Sequence, residues 1–263
     1  MEFERNRFTH AIAAGEKQVG IWITLGSNLA AEVVAPSGYD WALIDTEHSP
    51  GDYFNVLGQL QAFAPYDTTP IVRVEWNDPV VVKRMLDIGA PGLLFPMIQS
   101  AEEARQAVAA ARYPPRGVRG VAGSTRATKF GRVTDYVQVV EAETTILLQL
   151  ETRAAMEQAA EIARIDGVSG IFFGPADIAA DIGKLGHPMA PEVWELVREA
   201  AGAVQEAGKP TGTLVLDAGL AAELLNEGFT FVACGTDTSV LARGADGLLA
   251  AVKDGIDRPR RMR

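Results

Sequence analysis

Eight short runs of apolar and β-branched residues punctuate the chain, at 19–25, 41–45, 70–74, 92–96, 145–150, 169–173, 211–216 and 229–233, each bounded by Gly, Pro or polar residues. Near-continuous apolar runs of this length mark strands covered on both faces, the condition of a parallel sheet. Between them lie Ala- and Glu-rich segments with apolar positions at helical spacing, among them 78–88, 100–111, 153–165, 190–207 and 218–227. Strand alternates with helix from end to end, and no Gly/Ser/Pro tract or charge block divides the pattern. Eight such units predict one α/β domain over residues 1–263, a single (β/α)8 TIM barrel. A doubly wound open sheet is the competing arrangement. Against it, no G-x-G-x-x-G follows the first strand and no G-x-x-x-x-G-K-[ST] occurs anywhere. The stretch 113–132, with Pro114, Pro115, four Gly and several cations, is expected to be a long loop after the fourth unit.

Composition narrows the function classes. A formal net charge of −10 argues against a nucleic-acid or anionic-membrane surface, because phosphates are bound by clustered Lys and Arg. The basic run Arg258-Pro259-Arg260-Arg261-Met262-Arg263 reads as a solvated tail. Cys234 is the only cysteine, which excludes an intrachain disulfide and a thiolate metal cage, and its apolar neighbours place it in the core. The N-terminal segment has charges on both sides of a short apolar patch, so neither a signal peptide nor a membrane span is indicated and a cytoplasmic enzyme is expected.

A barrel gathers its chemistry at the C-terminal ends of its strands. Asp45, Glu47 and His48 end the second strand, Arg73 the third, Gln149 and Glu151 the fifth, and Asp177 follows the sixth. Gln149 and Glu151 are two apart and share one face of an extended chain. Two converging carboxylates, Glu151 and Asp177, without thiols or a His pair, suit a hard divalent ion such as Mg²⁺ or Mn²⁺, with Co²⁺ admitted; a solvated strand terminus is the plain alternative for Glu151. Gly174-Pro175-Ala176 turns into a helical start whose free N–H groups can hold a carboxylate. A metal beside an anion-binding turn describes a site for an α-keto acid. Asp45 is spaced to hold one ring nitrogen of His48, leaving the other as a general base, although a lone strand-end His is often only a surface residue. Arg73 lies in an apolar strand and needs an anionic partner, either Glu47 or an enolate oxygen on a substrate. Glu47 itself is open between orienting Arg73, holding a water and forming part of the polar rim.

With DTEH, Arg73, QLET and FFGPAD in place, the chain closely resembles the HpcH/HpaI aldolase family of metal-dependent pyruvate aldolases. Supporting motifs are Gly20-Ile21-Trp22, Pro96-Met97-Ile98, Tyr113-Pro114-Pro115-Arg116-Gly117-Val118-Arg119-Gly120 and Gly235-Thr236-Asp237-Thr238, and the match spans nearly the whole chain. The resemblance implies a barrel of the phosphoenolpyruvate/pyruvate-binding type that cleaves 4-hydroxy-2-keto acids to pyruvate and an aldehyde. It implies metal ligands at Glu151 and Asp177, a base at His48 oriented by Asp45, and an enolate-stabilising Arg73. Gln149 would contact pyruvate or a metal-bound water, and the backbone of Gly174, Pro175 and Ala176 would hold the pyruvate carboxylate. It also implies a homo-hexamer, a trimer of dimers in which subunits exchange a C-terminal helix and Asp87 reaches an adjacent site. Trp22 and Leu214 are expected to contact substrate, and Leu214, Leu216, Val121, Ser124 and Arg126, by their places on the seventh strand and long loop, to line the aldehyde pocket. A Schiff-base aldolase is disfavoured because no predicted strand carries a Lys. An acyl-CoA lyase of the citrate-lyase type and a silent keto-acid-binding barrel remain as alternatives.

Overall fold

In the computed structural model, which describes residues 1–256, the apolar runs become eight parallel strands: β1 Gln18–Ile23, β2 Trp41–Asp45, β3 Thr69–Arg73, β4 Gly92–Phe95, β5 Thr145–Leu150, β6 Gly170–Phe173, β7 Thr211–Leu214 and β8 Phe231–Thr236. They pair in sequence order and β8 closes on β1, giving the barrel that the strand count predicts. The open-sheet alternative is thereby ruled out. The first strand begins one residue earlier than the apolar run suggests and the last two residues later, since ladder pairing and not hydropathy sets the ends. The segment 153–165 is broken into two short helices, Arg153–Glu157 and Ala159–Ala163. From Arg112 to Asp135 there is neither helix nor strand, as expected of the long loop. The basic run from Arg258 lies outside the described residues.

Alternation along each strand sorts side chains between two cores. Ala42 and Ile44 of β2, Val72 of β3 and Ile146, Leu148 and Leu150 of β5 face the surrounding helices. Trp41, Leu43, Ile71, Leu147, Trp22, Phe172 and Phe231 fill the barrel interior. Gly20 and Gly212 make room for the largest of these, because a Cβ at either would stand 2.2 Å from the Trp41 or Phe231 ring. The floor is sealed by helix Arg7–Ala13, capped by Asn6, which inserts Phe8 5.4 Å from the Trp41 ring and 5.7 Å from Phe231. The same alternation that sends Trp41 and Leu43 inward sends Asp45 inward at the top of β2. By the same count Arg73 follows Ile71 and Gln149 follows Leu147. Among the described residues no helix is long and apolar enough to cross a membrane.

Candidate active site

Three inward positions on adjacent strands meet at the mouth. Asp45 is 2% exposed and accepts from Arg73 through both oxygens, Nε at 2.9 Å and Nη2 at 2.6 Å. Trp22 Nε1 donates to the same carboxylate at 3.3 Å and the Glu47 backbone N–H at 3.0 Å. The Arg73 guanidinium also stands 5.1 Å from the Trp22 ring centroid, a cation–π contact. Burial pushes the Asp45 carboxyl up, but the hydrogen bonds and charge of Arg73, with the Glu47 and Trp22 N–H groups, outweigh it and hold it below the usual range. Arg73 Nη1 lies 2.8 Å from Glu47 Oε2, in ion-pair contact but off the hydrogen-bonding direction. Burial, with the charges of Asp45 and Asp177, raises the Glu47 carboxyl in spite of Arg73 and His48.

His48 departs from the expected pairing. Its backbone N–H, not its ring, faces Asp45, at 3.4 Å from Oδ1. The ring is largely exposed, with Nε2 3.8 Å from Glu47 Oε1. Asp45 is occupied by Arg73, Trp22 and main-chain donors, so the acid beside the imidazole is Glu47. Trp22 is likewise a donor to Asp45, buried among barrel residues, and Leu214 packs against that interior cluster.

Across the mouth, Glu151 is also 2% exposed. Its Oε2 accepts from the Met97 N–H at 2.7 Å, and its Oε1 from Gln149 Nε2. Burial pushes this carboxyl up to about 7, reinforced by the charges of Asp177 and Glu47 and only partly offset by the Met97 and Gln149 donors. Asp177, in the first turn of helix Pro175–Asp181, is near enough for its charge to act on Glu151. Gly174 brings its backbone against the pair, since a Cβ there would meet Glu151 Oε1 at 2.7 Å. Gly174 and Pro175 are buried while Ala176 and Asp177 open to solvent.

Other expected residues lie elsewhere in this chain. Asp87 is held by Arg119 Nη2 at 2.9 Å. Arg126 donates to the Ile88 carbonyl at 2.8 Å. Val121 and Leu216 are exposed. Residue types named Met97 only as part of the Pro96-Met97-Ile98 motif; its φ of 52° is left-handed, and nothing in a Pro-Met-Ile string signals that conformation. They also left Asp237 as part of a motif without a role: its carboxylate accepts from Thr24 N and Oγ1, both at 2.9 Å, tying the start of helix Asp237–Ile256 to the end of β1.

Among the described residues no three His, Cys, Asp or Glu side chains form a metal cage. The Glu151 side is nevertheless suited to a hard cation. It offers oxygen donors alone, the charges of Asp177 and Glu47 raise the Glu151 carboxyl, and Gln149 Oε1 is buried with no hydrogen-bond partner.

The model of the HpcH/HpaI aldolase/citrate lyase family matches residues 18–244. The chain is 51% identical over 250 residues to a pyruvate aldolase of Rhizobium etli, covering 95% of this chain and 98% of that one. It is 47% identical over 247 residues to a 4-hydroxy-2-oxo-heptane-1,7-dioate aldolase of Salmonella paratyphi A, covering 94% of each. A crystal structure of a HpcH/HpaI aldolase/citrate lyase family protein from Burkholderia cenocepacia superposes with a TM-score of 0.92 at 36% identity, over 94% of this chain and 99% of that one.

Proposed function

The chain belongs to the HpcH/HpaI aldolase/citrate lyase family and is an aldolase, and from that premise we propose that it cleaves 4-hydroxy-2-keto acids reversibly to pyruvate and an aldehyde with a divalent metal. What supports this reading is Arg73, fixed by Asp45 through two hydrogen bonds, at the strand ends of the same barrel as Glu151, whose carboxyl the Asp177 charge raises.

Glu151 and Asp177 would hold the ion, Mg²⁺ or Mn²⁺ with Co²⁺ admitted. Once bound, it supplies a Lewis acid for the keto group of the substrate. Arg73 donates to the oxygen on which enolate charge develops, and its fixed geometry means little reorganisation accompanies that charge. The backbone at Gly174, Pro175 and Ala176 and the Gln149 amide hold the keto acid. His48 takes the proton from the C4 hydroxyl, the C3–C4 bond breaks, the aldehyde leaves, and its bonding pair stays with the three-carbon fragment as the pyruvate enolate. Protonation at C3 gives pyruvate, and the reverse sequence is the aldol addition. Glu47 lies nearest the imidazole and orients it, while Asp45 orients Arg73. Leu214 contributes to the aldehyde side.

The helix Asp237–Ile256 supports a homo-hexamer built by helix exchange. Only Asp237 of its residues is buried, and Val240, Leu241, Leu248, Leu249, Val252 and Ile256 are all more than half exposed. In such an assembly Asp87 and Arg126 would serve a neighbouring site. The same reading places the enzyme in the cytoplasm, acting on small molecules without a nucleic-acid or membrane partner.

The test is pyruvate release from a racemic 4-hydroxy-2-keto acid by metal-stripped protein. Activity should appear only with added Mg²⁺ or Mn²⁺ and survive borohydride. Metal-free activity killed by borohydride would instead mean a Schiff-base lysine, and no pyruvate under any condition would overturn the aldol reading.

A further inference from the structure

At the end of β4 the chain does something an even parallel strand cannot. Successive N–H groups of an extended strand point to opposite sides. Here the N–H groups of Met97 and Ile98 are both delivered to the β5 side, Met97 to Glu151 Oε2 at 2.7 Å and Ile98 to the Gln149 carbonyl at 3.1 Å. Before them Phe95 is in step with Leu148, so a bulge lies between. Pro96 has no N–H to lose there. The bulge is made by Met97 at φ 52°, a conformation that L side chains rarely adopt and that Gly adopts freely. Strain of this kind persists where the surroundings over-determine it, and it clusters at functional sites.

We propose that Met97 is a positioning residue for Glu151, its left-handed backbone aiming an N–H at Oε2 while Gln149 steadies Oε1, so that the carboxylate is preset to receive the divalent cation. The inference rests on Glu151 being a metal ligand. The backbone conformation, not the thioether, carries the role: the Met97 side chain is partly exposed and makes no hydrogen bond to the cluster. Leu and Gly at this position should therefore serve as well as Met. A β-branched residue, for which positive φ is most costly, should not.

Mn²⁺ affinity of the metal-stripped full chain, measured by calorimetry or electron paramagnetic resonance, reads this without recourse to turnover. Met97→Leu and Met97→Gly should bind Mn²⁺ within about twofold of the parent, and Met97→Ile about tenfold or more weaker, the effect of losing one hydrogen bond to a charged group. Unweakened binding by Met97→Ile would overturn the proposal. If Met97→Ile does not melt cooperatively, Met97→Gly decides. It should melt no lower than the parent and keep its affinity, because Gly relieves the strain; a tenfold loss in that variant also overturns the proposal. Glu151→Ala separates the premise from the inference. Loss of Mn²⁺ binding in Glu151→Ala together with unweakened Met97→Ile condemns Met97 alone, whereas retained binding in Glu151→Ala condemns Glu151 as a ligand.

Discussion

The two sides of the barrel mouth treat a buried carboxylate in opposite ways. Asp45 and Glu151 are equally hidden, each 2% exposed, and each accepts main-chain and side-chain donors. Yet the Asp45 carboxyl sits below its usual range and the Glu151 carboxyl is pushed up to about 7. Burial cannot be the discriminant. The difference is a guanidinium: Arg73 grips Asp45 through two nitrogens, whereas the charges that act on Glu151 are those of the acids Asp177 and Glu47. At Glu151 the two neutral donors, the Met97 N–H and the Gln149 amide, are outweighed by desolvation and by the neighbouring acids. The β2–β3 side thus carries its own counter-charge and is a finished structural unit. The β5–β6 side concentrates acceptors, the unpaired Gln149 Oε1 among them, and among the described residues no cation offsets the Glu151 carboxylate.

Cutting either side of the mouth should affect turnover and stability differently. Arg73→Ala and Glu151→Ala should each lower kcat for pyruvate release by about 10³-fold or more, since each removes charge stabilisation at the reacting oxygen. Stability should separate them. Arg73→Ala leaves Asp45 buried without its partner and should cost about 3–5 kcal/mol in urea unfolding. Glu151→Ala removes an acid that has no such partner and should cost the metal-free protein less than half as much. Equal losses of stability would mean that the asymmetry is not electrostatic. A smaller effect is expected between the two sides, at His48. His48→Ala should lower kcat by about 10²-fold, the low end of the usual worth of a general base, while Mn²⁺ affinity stays as in the parent. A fall in Mn²⁺ affinity would place the imidazole in the metal site instead.

Most of this arrangement is legible in the residue order because strand alternation is a strict rule. Once Trp41 and Leu43 point inward, Asp45 must follow, and the same holds for Ile71 with Arg73 and Leu147 with Gln149. What the order conceals is how side chains share partners. Asp45 and His48 are close enough in sequence to suggest a carboxylate–imidazole pair, but Arg73 on the next strand competes for the carboxylate with two donors and wins. Trp22 reads as a pocket wall, and only the three-dimensional neighbour shows its N–H turned to Asp45. Met97 is hidden for another reason. Its function is a backbone torsion, and a side chain that tolerates a left-handed position does not announce it as Gly would. The floor helix Arg7–Ala13 escapes notice because two inward residues, Phe8 and Ile12, suffice to seal a barrel end and leave no long apolar stripe.

The gentlest perturbation of the comparison is a proton. A Glu151 carboxyl that titrates at about 7 when folded, against an ordinary glutamate value when unfolded, means that the native state binds more protons across that interval. Stability of the metal-free protein must then fall as pH rises from the ordinary glutamate range through about 7, and Glu47, also raised, acts in the same direction. Asp45 has the opposite sign, its contribution being present above its unfolded value and lost only as pH falls through the acid range. The metal-free chain should accordingly melt a few degrees higher near about pH 5 than near about pH 8, a shift measurable by calorimetry. Glu151→Gln, which keeps the shape and removes the proton, should flatten that slope. Saturating Mn²⁺ should also abolish it, because a cation at the carboxylate displaces the proton and makes the ionised form the stable one. The same slope in parent and Glu151→Gln would show that the deficit of positive charge lies somewhere other than the β5–β6 side of the mouth.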